Sequence, residues 1–600
     1  MDRTGKIAVT IAILVMVGWV VYQSKTQPQP NAAGSSPSPS PAVAASGSGA
    51  SPQPSGTASP AEVKAATPAP TPEPVVAEQT LDIPAPPKQP SVVFTFTNHG
   101  GGIEKAELTG HLVDAGGKHI VLNDYGVNPI GAISDKPDDG MDLSYTVAAA
   151  DAGGITYQRT GADQIQITKK FTLPAAGAEN ADSFSTTLDV SFTNRGAQAY
   201  SSKGYYIALG TAAPIHQHDL ARYISMDWYR SGSAKTINVM GSFNASKILG
   251  IQWSAEKAEN LVTADNIAWA GMYNQYFTTI ITPKDTGGVS AWANRFPVDV
   301  PTHVSGPTWR IGHPDTAPTW YAINGALGMP GFDLKPGDTH TQQFKIYVGP
   351  RQHEILKHLN EGQDAIVHLS WAFISKGLLK MLIWLQKLFQ VFGKDNSYAW
   401  AIIVLTIAIK SALWPLQNRS TKSMKKMQAL NPKMAELREK YKDDPAKLNQ
   451  EMMKLYKVYG VNPLAGCLPM VIQLPVFVGF YSMLGSAIEL RNSTFFWVHD
   501  LSQPDTVGSI FGYPVNVLPL CMAAASAWMI VMTPKTGDPA QRNMMFITPV
   551  ILLLFCYSYA SGLALYLLVS NLFSVVQFMI TKNQTVPTLE KVAPPGKKKR

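Results

Sequence analysis

A single cation interrupts a run of the sequence that otherwise has the composition of a membrane-spanning helix. Lys410 lies within residues 400–414, WAIIVLTIAIKSALW, and Pro415 follows directly. A charge at the centre of a bilayer costs about 2.5–3.5 kcal/mol on insertion scales, so a lysine there should face a polar cavity or a partner group. The run therefore predicts a membrane helix with a functional centre at Lys410.

Five further apolar segments occur in the chain. They comprise residues 7–22, 464–484, 514–532, 546–559 and 562–580. About 20 apolar residues span the hydrocarbon core, and prolines inside several segments require neighbouring helices that satisfy the freed backbone groups. We expect six transmembrane helices, of which the last five form one bundle. Residues 1–23 are predicted to be an uncleaved N-terminal anchor, and the alternative is a cleaved signal peptide.

The distribution of Lys and Arg predicts the orientation of these helices. Residues 417–462 contain eleven of them and the tail after residue 580 contains six, whereas residues 485–513 contain only Arg491. Because positively charged loops stay in the cytoplasm, both termini are predicted to be cytoplasmic. Residues 24–396 then lie on the opposite side of the membrane.

Three regions precede the bundle. Residues 24–90 are rich in Pro, Ala, Ser and Gly, and are predicted to be a disordered tether. Residues 91–352 show short alternating apolar runs between turn residues, which predicts a large, sandwich-like all-β domain. Residues 353–396 carry a basic stripe of Lys376, Lys380 and Lys387. This stripe predicts an amphipathic helix on the membrane surface, and a core helix packed under the β domain is the alternative.

Two helices are expected between the second and third spans, in residues 417–462. Apolar residues recur there every three or four positions, and Asp444 followed by Pro445 is typical of a helix start. The sequence therefore predicts a cytoplasmic helical hairpin. Methionines give an adaptable apolar surface that suits varied peptide partners, and ordinary packing within the hairpin is the alternative. The predicted contact residues are Met424, Met427, Met434, Met452 and Met453.

The stretch after the hairpin carries a specific pattern. Residues 462–477 read NPLAGCLPMVIQLPVF. This stretch resembles the signature NPxxGCLPxxxQxPxF of the YidC/Oxa/Alb family of membrane protein insertases, and the similarity extends over residues 365–582. The N-terminal anchor and the β domain resemble the Gram-negative bacterial YidC form in particular.

The resemblance implies a five-helix insertase core in residues 397–583, around a hydrophilic groove that is open to the cytoplasm and to lipid. One positive residue of the family stands five positions before the proline of the second span, and Lys410 has that place here. The implied function is to insert inner-membrane proteins and to help them fold as a chaperone, alone or with the Sec translocon. The implied location is the bacterial inner membrane, with the β domain in the periplasm.

The same resemblance implies the partners of the chain. They are nascent membrane proteins, the Sec translocon, the lipid bilayer and the translating ribosome. We expect no cofactor, no metal ion and no small-molecule substrate, and we do not expect an enzyme. The basic tail, residues 584–600, is predicted to contact ribosomal RNA phosphates, and binding to anionic lipid is the alternative. Its last four residues are Lys597, Lys598, Lys599 and Arg600.

Polar and aromatic side chains of the spans are expected to line the groove. The alternative for the polar ones is hydrogen bonding between helices, which is worth about 0.6 kcal/mol for each bond. The predicted groove residues are Thr406, Lys410, Gln417, Gln473, Tyr566, Ser570, Asn571 and Gln577.

Other kinds of function fit parts of the chain. An ion-coupled transporter relays protons through ionisable groups in its spans, but the five C-terminal spans contain no Asp or Glu. A membrane-tethered carbohydrate-active enzyme needs a pair of carboxylates in the β domain, and it leaves the bundle and the hairpin unexplained. His216 and His218 form only a weak candidate metal pair, because no further ligand stands near them at motif spacing.

Overall fold

The computed structural model describes residues 80–581, apart from 85–91, 114–116, 175–177, 179, 217–218, 220, 249–250, 300–319, 394–395, 443, 462–467, 511–512 and 533–538. The predicted N-terminal anchor, most of the predicted tether and the basic tail lie outside the described residues.

Short strands make up the N-terminal half of the described chain, and two more follow in the C-terminal half. In chain order they are β1 Thr80–Pro84, β2 Val92–Thr97, β3 Gly102–Leu112, β4 His119–Leu122, β5 Ile133–Ser134, β6 Thr146–Asp151, β7 Gly154–Thr160, β8 Ile165–Thr172, β9 Ser185–Asn194, β10 Tyr200–Ala212, β11 Ser225–Arg230, β12 Ser233–Asn238, β13 Ser246–Ile248, β14 Ile251–Ser254, β15 Glu259–Ile267, β16 Trp269–Tyr273, β17 Phe277–Pro283, β18 Gly288–Val298, β19 Trp320–Leu334, β20 Thr339–Pro350, β21 Thr506–Ile510 and β22 Tyr513–Asn516.

The strands of the β domain form antiparallel sheets. The largest has the order β12-β11-β16-β17-β20-β9-β8-β7-β6, a second has the order β15-β18-β19-β10-β5, and β1–β4 form a third. Alternating burial along the strands explains why these residues form a sandwich, since Leu188, Val190 and Phe192 of β9 are buried while their neighbours are partly exposed. Residues of both large sheets, such as Leu209 and Met272, share one hydrophobic core. The prediction of an antiparallel β-sandwich domain is confirmed.

The first strand lies where the sequence predicted a disordered tether. Thr80 of β1 pairs with Thr97 of β2, and the pairing continues to Pro84 opposite Val93. The tether prediction, which extended to residue 90, is therefore wrong for these five residues. A strand at the edge of a sheet gains its hydrogen bonds from its neighbour, so a segment of low hydrophobicity can still be ordered there.

Nine α-helices are described. In chain order they are α1 His353–Lys357, α2 Ala372–Phe389, α3 Ser397–Ala429, α4 Asn431–Lys440, α5 Pro445–Val458, α6 Leu468–Ser486, α7 Val517–Met532, α8 Pro539–Cys556 and α9 Ser561–Thr581. Short 3₁₀ turns at Asn180–Phe184, Ala221–Tyr223, Gln363–Val367, Gln390–Phe392 and Ile488–Leu490 join some of these elements. Among the described helices, α3 and α9 are long and apolar enough to cross a membrane.

Helix α2 packs against the bundle with one face only. Its residues Leu378 and Leu382 are buried in a hydrophobic core shared with α3, α6, α7 and α9. On the opposite side Phe373 and Trp384 are largely exposed, and so is Lys380. The helix therefore belongs to the core of the bundle rather than to that of the β domain. Its exposed face combines lysine with large apolar side chains, which is typical of a helix at a membrane surface.

Helix α3 continues through the proline that was expected to end the second span. It runs for 33 residues with Pro415 inside it. Proline removes one backbone hydrogen bond of a helix, and a helix packed among others tolerates that loss because its neighbours satisfy the freed group. The predicted start of the hairpin at residue 417 is therefore wrong, and Met424 and Met427 belong to the same helix as Lys410.

The hairpin itself consists of α4 and α5. Asp444 caps α5 as the sequence suggested, because its side chain accepts a hydrogen bond from the backbone N–H of Lys447 at 3.0 Å. The hydroxyl of Tyr456, near the end of α5, donates to the sulfur of Met434, near the start of α4. The two helices are therefore antiparallel.

A glycine allows α2 to pack closely on α6, and its replacement is a test of that packing. A Cβ atom at Gly479 would lie 2.8 Å from a methyl of Ile374 and 3.0 Å from a methyl of Leu378. We expect Gly479→Ala to destabilise the protein by about 1–3 kcal/mol, the usual cost of overpacking a core. Thermal unfolding in detergent measures the effect.

Gly377 on α2 supplies the matched control for that substitution. No atom lies within 4 Å of a Cβ built there, so Gly377→Ala should leave the unfolding midpoint unchanged or raise it, by up to about 1 kcal/mol of helix propensity. Equal midpoints for the two variants would contradict the close packing of α2 on α6.

Candidate functional site

The side chain of Lys410 is enclosed between two helices of the bundle. Lys410 is the fourteenth residue of α3, about 20 Å from the start of that helix at 1.5 Å per residue. Its side chain is buried, and its Nζ donates a hydrogen bond to the Oγ of Ser574 on α9 at 3.3 Å. Ser574 in turn donates to the backbone carbonyl of Ser570 at 2.9 Å. The cation is thus stabilised by a hydroxyl that is itself held by the α9 backbone.

No carboxylate of the bundle helices neutralises this charge. The sequences of α2, α3, α6, α7, α8 and α9 contain no Asp or Glu. Burying a charge without an ionic partner is costly, and hydroxyl and carbonyl groups compensate for only part of the lost hydration. The ammonium group of Lys410 therefore has a hydroxyl partner and no carboxylate partner among these helices.

Two further polar contacts join α3 to α9, closer than Lys410 to the C-terminal ends of both helices. Gln577 Nε2 lies 3.5 Å from the Oδ1 of Asn418, to which it donates, and Lys425 Nζ donates to the backbone carbonyl of Thr581 at 2.8 Å. We call the contacts Lys410–Ser574, Asn418–Gln577 and Lys425–Thr581 the α3–α9 seam. The seam follows one side of α9 through the last two turns of that helix.

The other predicted groove residues have different partners. Thr406 donates to the carbonyl of Ile402 within α3 at 2.7 Å, which satisfies its hydroxyl locally. The side chain of Gln473 on α6 donates to the hydroxyl of Tyr566 on α9 at 2.8 Å, and the Tyr566 ring stacks on Phe480 with ring centroids 4.1 Å apart. The Gln473–Tyr566 contact is a hydrogen bond between helices, which was the alternative for the polar residues, whereas the hydroxyl of Thr406 is bonded within its own helix.

Asn571 and Gln417 complete the set. Asn571 on α9 donates to the Oγ of Ser526 on α7 at 2.6 Å. Gln417 is buried on α3, and its backbone carbonyl accepts from Thr421. Most of the predicted groove residues are therefore buried in protein. Two of them, Lys410 and Gln577, belong to the α3–α9 seam. The buried members are Thr406, Lys410, Gln417, Tyr566, Ser570 and Gln577.

The methionines predicted as contact residues divide into two groups. Met434 is buried in a small cluster with Leu430, Tyr459 and Val461, and Met427 and Met452 pack against that cluster. These three methionines take part in ordinary hairpin packing. Met424 and Met453 are partly exposed. The predicted tail contacts Lys597, Lys598, Lys599 and Arg600 lie outside the described residues.

Sequence reasoning did not select several members of the seam. Ser574, Asn418 and Lys425 were not among the predicted groove residues, although a signal for the α9 side was present. Polar residues recur on α9 at positions 570, 574, 577 and 581, which is the spacing of one helical face. Lys425 had been counted only as part of a basic loop, because the continuation of α3 past Pro415 was not predicted.

Of the candidate metal pair, only His216 lies among the described residues of the β domain. His216 lies 3.5 Å from the Oδ1 of Asp219 through its Nδ1, and its Nε2 lies 3.0 Å from the carbonyl of Val113. His218 lies outside the described residues. No group of three or more His, Cys, Asp or Glu side chains that could hold a metal ion occurs among the described residues.

The β domain is docked on one end of the bundle, which the sequence did not predict. The side chain of Gln275 donates to the backbone carbonyl of Gly485 at 2.8 Å, and Arg491 donates to the carbonyl of Leu112 at 2.9 Å. Arg491 also affects a nearby histidine, since burial and, secondly, the positive charge of Arg491 lower the pKa of His111 to about 4. We call the end of the bundle that carries Gly485 and Arg491 the outer end.

Two protein-family models match consecutive parts of the chain. The model described as the YidC periplasmic domain matches residues 88–381, and the model described as 60Kd inner membrane protein matches residues 388–588. The first match ends and the second begins within α2, and together they extend from before β2 to beyond α9.

Relatives with curated names are similar to both halves. A membrane protein insertase YidC from Citrifermentans bemidjiense is 30% identical over 504 residues, which cover 81% of this chain and 82% of the relative. One from Syntrophus aciditrophicus is 38% identical over 315 residues, and this match spans 52% of the chain and about half, 51%, of the relative's length. A crystal structure described as an active YidC insertase with its first transmembrane domain resolved is 18% identical, with a TM-score of 0.33, and the match covers 85% of this chain and 94% of that one. The chain therefore belongs to the YidC family of membrane protein insertases.

Proposed function

We propose that the chain is a membrane protein insertase and chaperone of the bacterial inner membrane. The observation that carries the proposal is the buried cation of Lys410, which is held by the hydroxyl of Ser574 in a bundle whose helices supply no carboxylate. The curated relatives are named membrane protein insertases. A fixed positive charge of this kind attracts an acidic or polar segment of a nascent chain.

The proposed mechanism uses the α3–α9 seam as the entry of the substrate's polar segment. Such a segment must cross about 30 Å of hydrocarbon, and a polar site part of the way across shortens that path. Because the described side chains of the seam are now nearly enclosed, water and substrate enter when α3 and α9 separate at their inner ends. The seam is held by three hydrogen bonds. A hydrated substrate segment offers the same kinds of donor and acceptor, so it can replace them.

The apolar segment of the substrate would leave toward lipid between α6 and α8. Val471 and Leu474 on α6 are exposed, and so are Ile551 and Leu554 on α8. Transfer of apolar surface from water to lipid is favourable by about 25 cal/mol per Å², so this step needs no nucleotide. The chain has no G-x-x-x-x-G-K-[ST] phosphate loop.

The contacts of the β domain support the proposed topology. They reach residues 485–502 and the α8–α9 turn, all of which belong to segments expected outside the cytoplasm. We propose six transmembrane helices, a periplasmic β domain, cytoplasmic termini and a cytoplasmic hairpin. The proposed partners are nascent membrane proteins, the bilayer, the Sec translocon and the translating ribosome. An ion-coupled transporter is disfavoured, because a proton relay from Lys410 would need an acidic partner, and the bundle helices contain no Asp or Glu.

Reversal of the charge at position 410 tests the mechanism. An acidic group about 10 Å from Lys410 is attracted by about 1.7 kcal/mol at an effective dielectric constant of about 20, and the sign inverts for glutamate. The difference of about 3 kcal/mol corresponds to a loss of more than about a hundredfold in rate. We expect Lys410→Glu to abolish insertion of substrates with an acidic translocated segment, whereas Lys410→Arg retains it. Protease protection of the translocated segment in proteoliposomes measures insertion.

Lys422→Glu is the matched control for that experiment, because Lys422 is an exposed lysine of the same helix. It makes the same change of net charge away from the seam and should insert substrates at close to the parental rate. Normal insertion of acidic substrates by Lys410→Glu would show that the charge of Lys410 does not drive insertion.

The basic tail provides a separate test of the ribosome as a partner. Contacts between cations and RNA phosphates release counterions, so binding weakens steeply as salt rises. We expect full-length protein to co-sediment with ribosomes at low salt and a chain ending at Asn583 to bind more weakly. Equal binding by the two, or binding that does not depend on salt, would contradict the ribosome contact and leave anionic lipid as the ligand of the tail.

A further inference from the structure

A second buried cation lies at the outer end of the bundle, and it comes from the β domain. Arg222 stands in the 3₁₀ turn Ala221–Tyr223. Its guanidinium donates to the hydroxyl of Tyr559, in the α8–α9 turn, at 2.9 Å, and to the hydroxyl of Tyr223 at 3.1 Å. The hydroxyls of Tyr559 and Tyr481 lie 3.1 Å apart. One side chain of the β domain therefore contacts two separate elements of the bundle.

The rings of these tyrosines surround the cation. The guanidinium carbon lies 4.7 Å from the centroid of the Tyr223 ring and 5.1 Å from the centroids of both the Tyr481 and Tyr559 rings. Both hydrogen bonds of the Arg222 guanidinium within the described part of the chain go to tyrosine hydroxyls. Cation–π contacts strengthen when the cation is desolvated. We call these four residues the Arg222 cluster.

The Arg222 cluster lies where α6 contacts α8 and the turn that follows it. Tyr481 of α6 makes ring contacts with Phe555 of α8 at 6.0 Å and with Tyr559 at 5.7 Å, both at the outer end. Towards the inner end, Leu474 of α6 and Ile551 of α8 are exposed. The two helices thus approach each other at the end where Arg222 is inserted.

Close contacts at Gly485 also hold the β domain beside the Arg222 cluster. A Cβ atom at Gly485 would lie only 2.5 Å from the hydroxyl of Tyr223, and the carbonyl of Gly485 accepts the hydrogen bond from Gln275. The glycine therefore allows Tyr223 and its neighbour Arg222 to reach the end of α6. The docked position of the domain and the insertion of the guanidinium depend on each other.

We propose that Arg222 is a positioning residue that holds the outer ends of α6 and α8 together and so closes the outer end of the cleft between them. The β domain then acts on the bundle as a clamp rather than as a passive attachment. Burial of a cation among tyrosines is favourable only while all three rings stay in place, so separation of the helices exposes the guanidinium and breaks its hydrogen bond to Tyr559. The consequence for insertion rests on the proposed function, whereas the closure itself does not.

The native cysteine Cys556 reports on this closure. It is a free, fully buried thiol at the end of α8, one turn before Tyr559. In full-length protein carrying Cys467→Ser and Cys521→Ser, Cys556 is the single thiol. We expect a membrane-impermeant maleimide applied from the β-domain side to label Cys556 slowly. Arg222→Gln should raise the labelling rate by more than about tenfold, because it removes the hydrogen bond to Tyr559, which for a charged donor is worth at least about tenfold, together with the cation–π contacts.

Two variants keep the test decisive if Arg222→Gln disturbs the β domain. Tyr559→Phe removes only one hydroxyl of the bundle and should accelerate labelling to a smaller extent, while Arg222→Lys keeps the charge and should restore part of the protection. Arg295→Gln is the matched control. Arg295 also lies over a tyrosine ring, that of Tyr321, but its hydrogen bonds go to residues of the β domain, so this variant should label at the parental rate.

Labelling at the parental rate by both Arg222→Gln and Tyr559→Phe would overturn the proposal. The experiment uses no substrate, so its outcome is separate from that of the insertase proposal. Lys410→Glu makes this separation explicit, because it should lose insertion and keep the slow labelling of Cys556.

Discussion

The bundle depends on one constraint, the burial of the Lys410 cation without an acidic partner. Its charge is stabilised by the hydroxyl of Ser574, which in turn bonds to the backbone of α9. A carboxylate at that place would neutralise the cation and remove its attraction for an incoming acidic segment. The sequences of the bundle helices contain no Asp or Glu, so α3 and α9 are joined by hydrogen bonds rather than by an ion pair. In the proposed mechanism, the charge of Lys410 therefore stays available to the substrate.

The two buried cations, Lys410 and Arg222, both donate to hydroxyl groups, but their side chains differ. Lys410 has a flexible stem and a compact charge, which suit a site where hydroxyls must yield to a substrate. Arg222 has a planar guanidinium, which stacks on rings and donates in fixed directions, and it lies between Tyr223, Tyr481 and Tyr559. The hydrogen bond of Lys410 is therefore easily exchanged for one to a substrate, whereas the Arg222 cluster is rigid. The proposed mechanism, in which the bundle opens at its inner end and stays closed at its outer end, needs this difference.

Much of the fold could be predicted from local patterns in the sequence. Alternation of Leu188, Val190 and Phe192 predicts a strand because burial on one face repeats every second residue, and Asp444 predicts a helix start because its side chain caps a free backbone N–H. The strand β1 and the passage of α3 through Pro415 could not be predicted in this way. Both depend on partners distant in the sequence, which supply the hydrogen bonds that the local sequence lacks.

In the candidate site too, the local sequence predicts some features and not those that depend on distant partners. The intramembrane charge of Lys410 was evident from composition alone, whereas its partner Ser574 lies 164 positions later in the chain and is one of several serines in apolar segments. The docking of the β domain was missed for a related reason, because two of the three tyrosines around Arg222, Tyr481 and Tyr559, lie far from it in the sequence. The sequence thus reveals the charge of Lys410, because it interrupts an apolar run, but it does not reveal the groups that stabilise either cation when those groups come from distant elements of the chain. In the proposed mechanism, these distant partners govern where the bundle opens.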